Sequence, residues 1–186
     1  MNKGTLFVLT GPSGVGKGTV RKLMERERLN LFTSISATTR APRKSEREGV
    51  HYYFLTKEQF EQKLREEAFL EYAQFADNSY GTLRAPVEEH LNKGENVLLE
   101  IEVQGALQVK KRCPEAVMIF ILPPSMEELR RRLIGRGTET PEKIEKRLKQ
   151  AEWEMSQRDH FDYQIVNDHV VRAAVELVSI IRREGC

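Results

Sequence analysis

The sequence has only two cysteines, no long apolar run and little net charge, and each shortage excludes a class of protein. Cys113 and Cys186 are too few and too unpatterned for a disulfide framework or a zinc site, and the four histidines show no metal-ligand spacing. Because no signal peptide or membrane-length apolar span is present, we expect a cytoplasmic protein without a membrane partner. The net charge of +2 argues against a general nucleic-acid binder.

The apolar content of 39% in 186 residues predicts a single domain, residues 1–186, with a sizeable core. Apolar runs of strand length alternate with segments of helical periodicity, and this alternation is typical of a parallel sheet covered on both faces. The sequence therefore predicts a three-layer α/β/α fold. The predicted strands of its core are 5–9, 31–37, 97–101, 117–122 and 163–166.

The segment 34–83 breaks this alternation, and we interpret it as an α+β insertion on a core formed by residues 1–33 and 84–186. Within it, residues 50–54 and 70–75 have strand character, Thr56 begins a short helix, and 78–81 has the composition of a turn.

Capping residues predict where the last three helices begin. Ser125 opens a capping box, Thr140 precedes a proline at the first helical position, and Asp168 opens the final helix. The residues expected on the buried faces of the last two helices are Ile144, Leu148, Ala151 and Met155, then Val171, Ala174, Val175 and Val178.

The stretch 11–19 has the composition of a phosphate-binding loop, and it lies between a predicted strand and a predicted helix, as such a loop requires. Its glycines let the backbone approach an anion, its N–H groups and the helix N-terminus attract negative charge, and Lys17 can reach the outer phosphates. Gly18 stands where a magnesium-binding hydroxyl is expected. We therefore expect Mg²⁺ to be held mainly by phosphate oxygens and water rather than by protein ligands.

Arginines outside this loop can supply the cations that phosphoryl transfer requires. Arg132 and Arg136 are four residues apart and share a predicted helical face. Arg136 also stands between two glycines, and we expect the segment 134–146 to act as a lid that brings its guanidinium over the phosphates. Arg147 follows on the next predicted helix.

A second group of arginines, Arg40 and Arg43 with Glu46 behind them, lies in the insertion. A charged loop of this kind is most often only solvated. The same insertion also contains aromatic, hydroxyl and carboxylate side chains that can hold a phosphate and a base, and these are Tyr52, Glu71, Tyr80 and Thr82.

Taken together, these motifs resemble the guanylate kinase family. They occur in the family's order over nearly the whole chain, and the two that follow the phosphate loop are more specific than the loop itself. The matching stretches are 11–19, 34–43 with Glu46, Gly49 and Tyr52, 69–73, 80–82, 99–105, 136–139 and 166–168.

The resemblance implies an ATP:GMP phosphotransferase that uses Mg²⁺ and gives ADP and GDP, with a five-stranded parallel core, a GMP-binding insertion and a short lid. The residues it implies for ATP are Gly11, Pro12, Ser13, Gly14, Val15, Gly16, Lys17, Gly18, Thr19 and Asn167. Those it implies for GMP are Ser36, Arg40, Arg43, Glu46, Tyr52, Glu71, Tyr80, Thr82 and Glu102. Those it implies for catalysis are Lys17, Arg40, Arg43, Arg136 and Arg147. At Glu102 the family more often has aspartate.

The chemistry of the bases agrees with GMP as the acceptor. Guanine presents N1–H and a 2-amino group as paired donors, which the Glu71 carboxylate can accept together. Adenine would leave that carboxylate unpaired, and such a mismatch can reject a substrate by roughly 10⁴-fold.

The alternative functions are a kinase for a different nucleoside monophosphate and a kinase-like binding module without chemistry. The sequence leaves the oligomeric state open between monomer and homodimer.

Overall fold

The structure, a computed structural model, describes residues 2–75, 77–135, 137 and 139–185. In chain order its strands are β1 (Leu6–Thr10), β2 (Leu31–Ser34), β3 (Ala37–Thr38), β4 (Tyr53–Phe54), β5 (Phe69–Phe75), β6 (Asn78–Leu83), β7 (Asn96–Glu100), β8 (Val117–Leu122) and β9 (Tyr163–Val166). Five of them form a parallel sheet in the order β2-β7-β1-β8-β9, and the other four form a second sheet in the order β4-β3-β6-β5. The predicted α/β class and parallel core are confirmed.

The helices are α1 (Lys17–Met24), α2 (Lys57–Arg65), α3 (Arg84–Asn92), α4 (Val103–Arg112), α5 (Met126–Ile134), α6 (Pro141–Ser156) and α7 (Val170–Glu184). Helices cover both faces of the parallel sheet because successive strand residues point to opposite sides. Leu6 and Val8 pack with α3 and α4, whereas Phe7 and Leu9 pack with α1 and α7. All four side chains are buried, which explains why β1 is apolar throughout.

Three helices begin at residues whose side chains cap them as the sequence predicts. Thr56 and Gln59 form a reciprocal capping box at α2, and the hydroxyls of Ser125 and Thr140 accept from backbone N–H groups at α5 and α6. At α7 the prediction is off by one residue, since His169 is the N-cap and Asp168 instead accepts a hydrogen bond from the His169 N–H.

The buried faces of the last two helices differ from the prediction at three positions. Val171 and Val175 are each 62% exposed, because α7 packs through the broader stripe around Ala173 and Leu177. In α6 the buried position is Glu154 rather than the neighbouring Met155, which is half-buried.

The insertion has more strand than the sequence predicts. The predicted segment 31–37 is divided, since β2 ends in the parallel sheet at Ser34 and Ala37 pairs with Gly81 in the second sheet. The predicted turn at 78–81 is wrong, because these residues form part of β6, which pairs antiparallel with β5. The predicted strand 50–54 is reduced to Tyr53–Phe54. In each case long-range pairing decides the conformation, and a local pattern does not report it.

The predicted lid, 134–146, spans the last residue of α5, the connection to α6 and the first turns of α6. Arg136 and Thr138 lie outside the described residues, so the catalytic role expected of Arg136 stays a prediction. Among the helices the structure describes, none is long and apolar enough to cross a membrane.

Candidate active site

The phosphate loop joins the carboxyl end of β1 to α1, where the parallel strands of α/β folds present their ligand sites. Gly16 has a φ of 94°, and a Cβ there would lie 2.7 Å from Nδ2 of Asn167. That amide nitrogen donates to the carbonyl of Val15 at 2.8 Å. Gly16 is thus needed both for the turn and for the approach of Asn167, which is itself only 6% exposed.

Lys17 lies back over the loop. Its ammonium donates to the carbonyl oxygen of Gly11 at 2.9 Å and lies 3.7 Å from the Glu102 carboxylate, which follows β7. The lysine side chain is only 11% exposed, whereas that of Glu102 is 57% exposed. The cation is therefore held at the loop by a hydrogen bond to a neutral carbonyl and by an ion pair with a carboxylate.

Arg132 of α5 contacts the loop, although the sequence only placed it on a helical face with Arg136 and assigned it no site role. Its guanidinium donates to the carbonyls of Val15 at 3.2 Å and Asn167 at 3.1 Å. The available signal was its helical register four residues before Arg136. A cavity of about 400 Å³ opens beside these groups, lined by Gly14, Gly16, Thr19, Arg132, Asn167, Asp168, His169 and Val170.

Arg147 of α6 reaches the other side of the loop. One guanidinium nitrogen donates to Glu139 at 2.6 Å and another to the hydroxyl of Ser13 at 2.5 Å. Its Nε is buried without a hydrogen-bond partner among the described residues. The arginine is therefore anchored to the loop while one donor stays unused.

The insertion also holds a buried carboxylate. Glu71 and Thr82 face each other across β5 and β6, and the Thr82 hydroxyl donates to Glu71 at 2.8 Å. Their exposed fractions are 5% and 1%. A Cβ at Gly105 would lie 2.2 Å from Oε2 of Glu71, so the absence of a side chain lets the carboxylate meet the start of α4.

Burial governs the charge of Glu71. Removal from water raises the pKa of this carboxyl to about 7, and the nearby Glu102 carboxylate raises it further, while the Thr82 hydrogen bond and Arg112 oppose the shift. A buried carboxylate with unused acceptor capacity can recognise a pair of N–H donors.

A second part of the insertion holds an arginine in a fixed orientation. Arg40 forms two parallel bonds of 2.9 Å with Glu46, and its guanidinium carbon lies 5.3 Å from the centre of the Tyr52 ring. Hydrogen bonding from Arg40, with a further bond from the Arg43 backbone N–H at 2.9 Å, lowers the pKa of Glu46 to about 2. Hydrogen bonds to Glu46 and Tyr80 raise the pKa of Arg40.

The structure gathers Arg40, Glu46, Tyr52 and Tyr80 into one group, whose two tyrosine ring centres are 6.3 Å apart. Arg43 contributes its backbone here, while its side chain is exposed. Ser36 immediately precedes β3, which pairs with β6 at Tyr80. Its carbonyl accepts from the Tyr53 N–H at 3.0 Å.

The surroundings of Gly18 suit an ion held by water and phosphate. A Cβ at Gly18 would lie 3.5 Å from a carboxylate oxygen of Glu100, which is also paired with Arg21. Thr19 lies instead along the cavity beside the loop. In the described part of the chain, no group of three or more His, Cys, Asp and Glu side chains could hold a metal. One carboxylate beside the helix start fits Mg²⁺, which keeps several of its waters.

The chain is similar in sequence to known guanylate kinases over nearly its whole length. A family model described as guanylate kinase matches residues 3–184. The chain is 58% identical to a guanylate kinase of Thermus thermophilus over 98% of this chain and 82% of that protein. It is 54% identical to a guanylate kinase of Synechocystis over 98% of this chain and 95% of that protein.

The fold is similar to that of a solved relative as well. The crystal structure of guanylate kinase from Anaplasma phagocytophilum superposes with a TM-score of 0.79 at 38% identity. The match covers 98% of this chain and 87% of the other.

Proposed function

The chain belongs to the guanylate kinase family, and we propose that its phosphate loop and its insertion form the donor and acceptor sites of that family's reaction. The chain is a nucleotide kinase that transfers the γ-phosphoryl group of ATP to GMP, giving ADP and GDP. An oxygen of the GMP phosphate forms the new bond to phosphorus as the bond from the γ-phosphorus to the bridging oxygen of ATP breaks.

The buried pair of Glu71 and Thr82 carries this proposal. In the ionised form, the Glu71 carboxylate accepts both the N1–H and the 2-amino group of guanine, and Thr82 and Ser36 complete the contacts to the base. Adenine offers an acceptor where guanine offers a donor, so AMP would leave a buried carboxylate unpaired. Glu102, which adds negative potential at the same pocket, lies beside the guanine edge in this proposal.

The group around Arg40 binds the phosphate of GMP. Glu46 fixes the Arg40 guanidinium by a bidentate contact, and Tyr52 and Tyr80 supply hydroxyl donors next to it. Arg43 follows on the same loop with an exposed side chain that can turn toward the anion. These two arginines also offset negative charge on the acceptor side during transfer.

The residues 11–19 bind the phosphates of ATP through backbone N–H groups and the start of α1. Lys17 and Arg147 stabilise the charge that spreads over the transferring phosphoryl group, and Arg136 joins them in the assignment based on sequence alone. Asn167 and the cavity beside the loop receive the nucleoside of ATP. Arg132 donates hydrogen bonds both to the loop, at Val15, and to Asn167.

Mg²⁺ neutralises phosphate charge when it is bound with ATP. In our proposal phosphate oxygens and water supply most of its ligands, and Glu100 is the carboxylate placed to accept from a bound water.

Both substrates are intracellular anions, and Cys113 is a free thiol, so we propose the cytoplasm as the location.

An assay of ADP release with ATP and either GMP or AMP tests this proposal. We expect turnover with GMP and a kcat/KM for AMP lower by about 10⁴-fold. Equal use of AMP would contradict the role of Glu71, and no ADP release with any monophosphate would favour a binding module.

A further inference from the structure

β5 contains an extra residue just before Glu71. Phe69 of β5 pairs with Leu83 of β6. The next pair is Glu71 with Thr82, so Leu70 is extra in the register between the two strands. Such a bulge disrupts the hydrogen-bond ladder locally and redirects the side chains beside it. The position of the Glu71 carboxylate therefore depends on what holds this irregular backbone.

The bulge changes the face of β5 on which these side chains lie. Successive residues of a regular strand point to opposite sides. Leu70 is buried in the core cluster that includes residues of α4. The Glu71 carboxylate also lies against α4, since a Cβ at Gly105 would come within 2.2 Å of its Oε2. The bulge thus allows two consecutive side chains to lie on the α4 side of the strand.

Arg112, in the last turn of α4, holds the backbone just before Glu71. Its Nη1 donates to the carbonyl of Phe69 at 2.9 Å and to the carbonyl of Leu70 at 2.7 Å. Both carbonyls belong to the segment in which the register shifts and the ladder is disrupted. One nitrogen of a cation therefore bonds two consecutive carbonyls of the bulge.

Gln108, one helical turn earlier in α4, holds the backbone just after Glu71. Its Oε1 accepts from the Tyr72 N–H at 3.1 Å, and its Nε2 donates to the Tyr72 carbonyl at 2.8 Å. The side-chain amide thus uses both an acceptor and a donor on one strand residue. Gly105, Gln108 and Arg112 are spaced by three and four residues, so they share one face of α4. That face contacts β5 before, at and after the carboxylate.

We infer that Gln108 and Arg112 are positioning residues that fix the β5 backbone on either side of Glu71 and thereby hold its carboxylate in place for the guanine base. The inference rests on the proposed function, because it assigns the two side chains to the acceptor site of that reaction. Both act through the backbone of β5, and neither contacts GMP itself.

Arg112 differs from Gln108 in that it also affects the charge of Glu71. Burial and Glu102 raise the pKa of this carboxyl, while Thr82 and Arg112 lower it. Loss of the cation raises the pKa further, so GMP binding would then require a higher pH. Loss of the neutral Gln108 amide leaves the charges unchanged, and a Gln108 variant therefore reports positioning alone.

Two substitutions, Q108L and R112M, remove the contacts and keep good helix-forming residues in α4. Because a displacement near 1 Å can cost about 10²-fold, we expect kcat/KM for GMP to fall by roughly 10- to 100-fold in each, mainly through KM. The KM for ATP should stay within about twofold, because the phosphate loop joins β1 and α1. R112K keeps a charged nitrogen that can bond both carbonyls, and it should stay within about fivefold of wild type. All assays are run well below the Tm of each variant.

The matched control is K111M, which removes a charge from the neighbouring exposed position of α4 and should behave as wild type. The inference is overturned if Q108L keeps the wild-type KM for GMP, if either variant raises the KM for ATP as much as that for GMP, or if R112K is as impaired as R112M. Q108L leaves the cation in place, so it decides the question even where R112M does not fold. Failure of the proposed function looks different, since wild type and K111M would then both fail to phosphorylate GMP.

Discussion

The phosphate loop and the proposed guanine pocket are built in opposite ways. The loop is nine consecutive residues, 11–19, within one strand–turn–helix unit, and we propose that it binds through backbone N–H groups. The side chains that we propose for the pocket come from β5, β6 and the segment before β3, and they need the antiparallel register that sets Glu71 opposite Thr82. A local site tolerates changes elsewhere in the chain, whereas the pocket depends on a correctly paired second sheet.

The two halves of the proposed acceptor site also place the same residue type in different surroundings. Glu71 is buried and its pKa is raised to about 7, whereas Glu46, paired with Arg40, has a pKa lowered to about 2. Desolvation decides the first shift and hydrogen bonds from a cation decide the second. This difference in surroundings agrees with the proposed roles, recognition of the base for Glu71 and support of Arg40 for Glu46.

The sharpest test of this comparison is Glu71→Gln. Its amide would direct N–H donors at the donors of guanine, so we expect kcat/KM for GMP to fall by about 10³- to 10⁴-fold. ATP affinity, measured by titration calorimetry, should stay within about twofold, because the loop does not depend on the pocket. Glu66→Gln, an exposed change in the same insertion, is the control, and an equal loss of ATP binding in the Glu71 variant would refute the division into two sites.

Arg147→Ala tests the donor side. Because the guanidinium meets charge that develops during transfer, we expect kcat to fall by about 10²- to 10³-fold. GMP affinity should be kept. Arg130→Ala is the matched control, since this arginine on α5 is exposed and paired with Glu145. Normal turnover of the Arg147 variant would show that its contact with Ser13 is structural only.

The sequence predicted those features that depend on neighbouring residues. The loop, the parallel core and the caps at Thr56, Ser125 and Thr140 follow from local composition and spacing, and the structure has them. The resemblance named the guanine-reading residues, and the structure brings Glu71 and Thr82 into contact. The assigned roles of these residues stay predictions.

Features decided by long-range packing were not predictable in this way. Residues 78–81 have turn composition, but pairing with β5 makes them a strand. Likewise, a helical wheel cannot distinguish a solvated Glu154 from the buried side chain that the structure has at this position. The bonds of Arg132 to Val15 and Asn167 also join three separate elements. No spacing rule reports such contacts.

A smaller effect is expected for Glu46→Gln, which weakens the bidentate hold on Arg40 and leaves the pocket for the base intact. Because a charge-assisted, bidentate contact fixes the Arg40 guanidinium, the KM for GMP should rise by roughly 10- to 100-fold when the contact is weakened. Most of the effect should appear in KM rather than kcat. Lys44→Gln, in the same exposed loop, is the control, and a fall confined to kcat would contradict an orienting role for Glu46.

The smallest effect concerns the pH dependence of GMP binding. Guanine requires the ionised carboxylate, and Glu71 with a pKa of about 7 is mostly protonated at pH 6 and mostly ionised at pH 8. Affinity should therefore weaken as the pH falls through 7, by about tenfold between pH 8 and pH 6 in calorimetric titrations. The phosphate of GMP titrates near pH 6 as well. Because Glu71→Gln retains only that phosphate contribution, the difference between the two proteins isolates the carboxyl group. If wild type and variant show the same pH dependence, Glu71 binds guanine without changing its protonation, and burial does not control the pocket.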